Sequence, residues 1–217
     1  MPSLEEWERE MAAAREAGTR PVAVSATRLA EEAARAAEVE VLAGIHKDAR
    51  DIDLPPWQKG RYGSAVGRAV HGVLQSIDLR TGAGLAEECA AQAAAEFVFG
   101  KEPVIQAFCR SALGSELVRS AAERPHWREV YVGIPQGDRV LEGYIDLLYR
   151  ADDGLVIVDY KTDSWSSPAD LDAKVQRYAP QLAAYREAVA VTTGEPVAGL
   201  WLLFLRPEGA VARPVLA

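Results

Sequence analysis

Apolar and polar positions alternate with different periods in the two halves of the chain, helical before Pro125 and strand-like after it. Residues 4–17 are charged and alanine-rich and stop at Gly18, which predicts an exposed helix or tether. Ser25 or Thr27 is placed as the N-cap of a helix running to about residue 42. Residues 44–60, with Pro55, Pro56 and Trp57, predict a surface connection. Helical periodicity returns over residues 62–77 and 85–99, then over shorter stretches at 103–113 and 115–122. Beyond Pro125, residues 128–135 and 140–149 predict strands joined by a turn at 136–139. Residues 151–154, Ala-Asp-Asp-Gly, predict a hairpin turn. The run 155–160 is almost continuously apolar, as in a strand buried on both faces. Residues 169–191 predict a long helix that Pro180 is placed to interrupt, and strands over 199–206 and 210–216 follow it. Helices, three strands, a crossing helix and further strands predict an α/β layer fold.

Composition narrows the class. Nearly half of the 217 residues are apolar and 26% are charged, which suits one large globular domain, with or without a helical appendage. No apolar run reaches the roughly 20 residues of a membrane span, and the acidic first ten residues are not a secretory signal. A cytoplasmic location is expected. Cys89 and Cys109 are expected to be buried free thiols, and two thiolates cannot hold an iron–sulfur cluster. With 24 basic and 32 acidic residues the net charge is −8, which argues mildly against a nucleic-acid partner. A cation-holding site needs carboxylates, however, and net charge does not govern a local groove.

Four short segments carry candidate chemistry. Gly67 and His71 share a helical face, so the glycine allows close approach to a sheet and aims the imidazole there; alone, His71 reads as a structural histidine. Asp146 stands in an apolar strand after Gly143, where an unpaired acid is costly and a metal ion or salt bridge would compensate it. Regular alternation puts Tyr144 and Asp146 on one face, Ile145 and Leu147 on the other. Asp159 and Lys161 project from one face at the end of the apolar run. Counting back from the 151–154 turn brings Asp146 opposite Asp159, so two carboxylates and an amine converge. Tyr178, Gln181 and Tyr185 share a helical face, usually a core pattern, on which an amide suits hydrogen bonding to a phosphate or catalytic group. Glu129 opens the first strand, where a surface strand end explains it at least as well as a supporting role.

The order and spacing of Gly67 and His71, Gly143 and Asp146, Asp159-Tyr160-Lys161-Thr162, and Gln181 and Tyr185 resemble the RecB-type nuclease module of the PD-(D/E)XK superfamily. Such modules stand at the C-terminus of AddA-type and related UvrD-like helicase–nucleases. The resemblance implies a restriction-endonuclease-like core, a mixed central sheet flanked by helices, over residues 21–217. Residues 1–20 are then a helical extension or linker. It further implies that His71, Asp146, Asp159 and the main-chain carbonyl of Tyr160 ligate a metal, and that Lys161, with Asp146 and Asp159, is catalytic. Gln181 and Tyr185 would support the site and the DNA strand.

Such a set suits hydrolysis of phosphodiester bonds in DNA. Mg²⁺ prefers carboxylate and carbonyl oxygens and keeps several waters; the imidazole makes Mn²⁺ a substitute. Lys161 could deprotonate the attacking water or stabilise charge as a cation. No recognition-helix or zinc-finger pattern occurs, so cutting without sequence specificity is expected, with exonuclease action in recombination and repair as the leading mode. Lys59, Arg61, Arg68, Lys174 and Arg177 could line a groove for phosphates, although each singly reads as ordinary helix charge. No nucleotide-binding loop occurs, so a helicase portion would lie in a parent polypeptide or a partner protein. Two competing readings are an inactive nuclease-like DNA-binding or scaffolding module, and a structural metal site in an interaction domain.

Overall fold

The computed structural model describes residues 3–19, 23–25, 64–136 and 139–216. The expected helix between about 27 and 42, the connection over 44–60, and Lys59 and Arg61 lie outside these residues. Helix α1 (Leu4–Thr19) is followed by a short strand β1 (Ala23–Ser25), then helices α2 (Ala65–Ser76), α3 (Leu85–Ala95), α4 (Glu102–Gly114) and α5 (Glu116–Ala122). Strands β2 (His126–Gln136), β3 (Arg139–Ala151) and β4 (Gly154–Lys161) lead into helix α6 (Pro168–Thr193) and strands β5 (Val197–Arg206) and β6 (Gly209–Pro214). Among the described residues, no helix is long and apolar enough to cross a membrane.

The strands form one mixed sheet in the order β1-β3-β4-β5-β6, with β2 also paired to β3. Pairing is parallel for β1 with β3 and for β4 with β5, and antiparallel elsewhere. Ser25 ends strand β1, opposite Glu142, and the residues that would follow it as a helix lie outside the described ones. Two apolar layers cover the sheet. One face meets α2–α5 through Leu147, Tyr149, Val156, Val158, Tyr160, Leu203 and Leu205. The other meets α6 through Ile145, Leu148, Leu155, Ile157, Leu202 and Phe204. That two-sided burial accounts for the unbroken apolar run in β4.

Local chemistry sets the element boundaries. Ser64 caps α2 by accepting the Gly67 N–H at 3.0 Å, and Ser167 caps α6 by accepting from Asp170 at 3.2 Å. Helix α3 stops at Ala95, four residues before the expected end. Phe97 adopts a left-handed backbone (φ 57°), and the Val98 and Phe97 N–H groups close onto the carbonyls of Ala93 and Ala94. This is a Schellman closure, normally signalled by glycine, with a phenylalanine in the glycine's place. Helix α6 runs through Pro180, which faces solvent, so the carbonyl it leaves unbonded can reach water.

Two glycines set how closely the layers meet. A Cβ on Gly67 would lie 2.7 Å from Oγ1 of Thr162, beyond the end of β4, and a Cβ on Gly143 would lie 2.7 Å from the Tyr185 ring on α6. Each glycine of the recognised motifs thus makes room for a residue of another. Gly143→Ala is expected to cost about 1–3 kcal/mol in urea denaturation, the usual range for overpacking. Combined with Tyr185→Leu, the cost of the second substitution should fall well below its cost alone; strict additivity would contradict the close approach.

Candidate functional site

Strand β3 is shared by two neighbours along one edge. Its C-terminal half, Leu147 to Ala151, pairs with β4, and Val140 to Glu142 pair with β1, which leaves residues 143–146 between the two ladders. Carried one step on, the Leu147↔Val158 register sets Asp146 opposite Asp159, as the turn count predicts. The ladder does not continue there. Instead Oδ2 of Asp146 accepts the Tyr160 main-chain N–H at 2.6 Å, so the side chain replaces a strand partner.

The alternation of faces also breaks at this point. Ile145 packs in the α6 layer, yet Leu147 packs in the α2 layer, so Asp146 and Leu147 both turn towards α2. The expected placing of Ile145 and Leu147 on one face is therefore corrected. Across the ladder, Glu129 takes a left-handed backbone (φ 50°), and the β2–β3 pairing skips the Glu129–Asp146 pair while holding one register on both sides. The two strands change phase together, and both acids are delivered to one face. A left-handed non-glycine residue costs free energy and concentrates at functional sites.

Helix α2 delivers the imidazole. Its buried stripe of Gly67, Ala69, Val70, Val73 and Leu74 lies on the sheet, with the His71 ring at the stripe's edge. His71 Nδ1 lies 2.9 Å from Oδ1 of Asp146. Arg128 donates to the carbonyls of Leu74 at 3.1 Å and Ile77 at 2.5 Å, anchoring the end of α2 to β2. Ligand atoms of His71, Glu129 and Asp146 all lie within 4.8 Å of one another. Asp159 is outside this trio, 2.6 Å from Lys161 Nζ.

A second network holds Lys161. Its ammonium donates to Oε1 of Gln181 at 3.2 Å and lies 4.1 Å from the centroid of the Tyr178 ring. Lysine can only donate, so the Gln181 amide oxygen must face it, and the Gln181 Nε2 then donates to the Tyr185 hydroxyl at 2.9 Å. The Tyr178 hydroxyl donates to Asp163 at 3.0 Å. Gln181 is thus a buried amide with both ends engaged, and Tyr178, expected as core, lies against the lysine.

Electrostatics follow from burial and crowding. Burial, then the Asp146 charge, pushes the Glu129 carboxyl up to about 7. Burial pushes Asp159 up to about 6 despite Lys161, with Asp146 adding to the rise. Burial opposes the charge of Asp146 too, but His71, Lys161 and the Tyr160 N–H outweigh it and hold that carboxyl below its usual range. Lys161 is likewise raised against burial, by Asp159 first.

Of the basic residues expected to line a groove, Arg68, Lys174 and Arg177 lie among the described residues, and each has a local partner. Arg68 pairs with Glu96 at 2.8 Å and Lys174 lies 3.8 Å from Asp170, while Arg177 sits beside the Tyr178 ring. Cys89 and Cys109 are free and buried in α3 and α4. Glu129 is the residue that sequence reasoning undervalued. Its only signal was an acid near the start of a strand, whereas its inward aim depends on backbone geometry.

A family model described as the PD-(D/E)XK nuclease superfamily matches residues 21–216. The chain belongs to that superfamily. Among curated proteins, this superfamily member is 32% identical over 154 residues to an ATP-dependent helicase/nuclease subunit from Streptococcus suis (strain 98HAH33), covering 64% of this chain and 12% of that protein. It is 27% identical over 187 residues to the like-named subunit from Streptococcus pyogenes serotype M12 (strain MGAS2096), covering 78% of this chain and 15% of that protein. The chain therefore spans a small fraction of these relatives.

The donor set fits a divalent cation. An imidazole and two carboxylates come together, burial raises Glu129, and Glu129 has no hydrogen bond or ion pair with the described residues. A carboxyl raised in the folded state binds more protons there than in the unfolded chain, so its ionisation destabilises the fold as pH rises. In EDTA, Glu129→Gln should therefore gain in melting temperature relative to the parent as pH is raised from about 5 to about 8, across the raised value. In Mn²⁺ at the upper pH that advantage should reverse. An advantage constant across this range would show that Glu129 does not titrate in this environment.

Proposed function

We propose that the chain is a divalent-metal-dependent nuclease that hydrolyses phosphodiester bonds in DNA without sequence specificity. The observation that carries this reading is the meeting of His71, Glu129 and Asp146 beside the Asp159–Lys161 pair, in a member of a nuclease superfamily. His71, Asp146, Asp159 and the Tyr160 carbonyl form the expected ligand set, to which Glu129 is added. Mg²⁺, or Mn²⁺ favoured by the imidazole, would lower the pKa of a bound water and neutralise charge on the phosphate.

The chain's own groups supply the rest. Asp146 orients the His71 ring and ties it to the strand end through Tyr160. Lys161 keeps its proton beside Asp159, which favours a cation that donates to the attacked phosphate over a base that takes a proton from water. Gln181, backed by Tyr185, and the Tyr178 ring hold the ammonium in place. Among the described basic residues of that group Arg68 and Lys174 are paired with acids, while Arg177 lies beside the Tyr178 ring that touches Lys161, which supports its contacting a backbone phosphate. Residues 21–217 would form the nuclease unit and residues 1–20 an extension or linker. The likeness to helicase/nuclease subunits supports work on DNA ends, as an exonuclease in recombination and repair, coupled to a helicase in the same polypeptide or a partner.

The test incubates the purified chain with linear single- and double-stranded DNA in Mg²⁺, Mn²⁺ or EDTA. Asp146→Ala should lose Mn²⁺ binding and cutting together. Lys161→Ala should retain Mn²⁺ binding but lose about 10²- to 10³-fold in rate, the usual worth of a group that stabilises transition-state charge. Cleavage in EDTA, or an Asp146→Ala variant that cuts normally, would refute the mechanism.

A further inference from the structure

Next to the candidate site along the same two strands stands an aromatic pair that the hydrolytic groups do not use. Tyr131 and Tyr144 are directly opposite one another in the β2–β3 ladder, with ring centroids 5.4 Å apart and planes tilted by 60°. Both are more than half exposed, at 54% and 56%. Aromatic side chains of this size are ordinarily buried, so two in contact on an open strand face form an apolar platform.

Their face is set by their neighbours. A Cβ on Gly143 would meet Tyr185 of α6, and Ile145 packs in the α6 layer, so Tyr144 between them points the opposite way. Val130 and Val132 also pack towards α6, which turns Tyr131 to the same side as Tyr144. That is the side on which Glu129 and Asp146 meet His71. Each tyrosine lies two residues from one of these acids, about 7 Å along the strand. This is about one nucleotide step in an extended single strand.

Charge selects what the platform can hold. The Tyr131 hydroxyl donates to Glu142 at 3.1 Å, so a carboxylate stands at its rim, and Glu129 lies on the other side. These acids repel a phosphate but not a neutral base. The tilt is too great for a base to slide between the two rings, which leaves the outer ring faces for stacking. Bases in a duplex are already stacked and covered; those of a single strand present a free face.

We propose that Tyr131 and Tyr144 form a stacking platform for an unpaired nucleobase next to the phosphate held at the site, making single-stranded DNA or a frayed end the preferred substrate. This rests on the nuclease reading for the phosphate but not for the stacking itself, so the two can be tested apart. Binding is measured by fluorescence anisotropy in EDTA at low ionic strength. The probes are a labelled oligothymidylate, a matched oligonucleotide of abasic residues, and a duplex of equal length. The parent chain should bind the base-bearing strand about 5- to 150-fold more tightly than the abasic one, the range that stacking of one base supplies. Tyr144→Phe should keep that preference, whereas the Tyr131→Val/Tyr144→Val double variant should bind both strands with the affinity of the abasic one. Equal affinity of the parent for base-bearing and abasic strands, or for single strand and duplex, would overturn the proposal. So would self-association of the parent that the double variant loses, since the face would then belong to a protein contact. Intact base preference without metal-dependent cutting would refute the nuclease reading and leave the platform standing.

Discussion

The Asp146 carboxylate bridges three elements, and the arrangement of the site depends on that bridge. One oxygen meets the His71 ring of α2 and the other takes the Tyr160 N–H of β4, at the point where β3 leaves β4 for β1. A buried carboxylate is costly unless donors surround it. Here the donors are a helix side chain and a strand amide, so compensating the acid also fixes where helix and strand ends sit. The phase change at Glu129 and Asp146 turns two acids to the face where His71 waits. Local strain in the sheet is thus exchanged for a convergence of ligands that a regular ladder would not give.

Lys161 illustrates the same logic on the α6 face. Its charge is held by Asp159, by the Gln181 oxygen and by the Tyr178 ring, and Gln181 and Tyr178 are in turn fixed by Tyr185 and Asp163. A lysine so enclosed keeps its proton and has little freedom to move. Its position then depends on α6 as much as on β4. The two motif glycines complete the frame, since Gly67 lets α2 meet Thr162 and Gly143 lets the Tyr185 ring lie on β3.

Much of this frame was legible in the chain. The Asp-Asp-Gly turn fixes the hairpin register by simple counting, and the apolar run at 155–160 marks the strand buried on both faces. Helix α6 was legible from its periodicity, though Pro180 does not break it, because it faces solvent. The phase change was not legible. A left-handed glutamate and a left-handed phenylalanine follow from tertiary fit, and neither residue type announces that backbone. For the same reason Glu129 looked like a strand end, and α3 was expected to run on to Phe99. Strand β1 is three residues long, too short for periodicity to register.

The proposed chemistry requires a cation at the junction of α2, β2 and β3. A crystal structure of the chain grown with Mn²⁺, with data collected at the manganese absorption edge, measures this directly. An anomalous peak is expected within coordinating distance of His71 and Asp146, with Glu129 turned towards it. An anomalous map with no peak there, or with manganese bound only elsewhere on the surface, would contradict that chemistry.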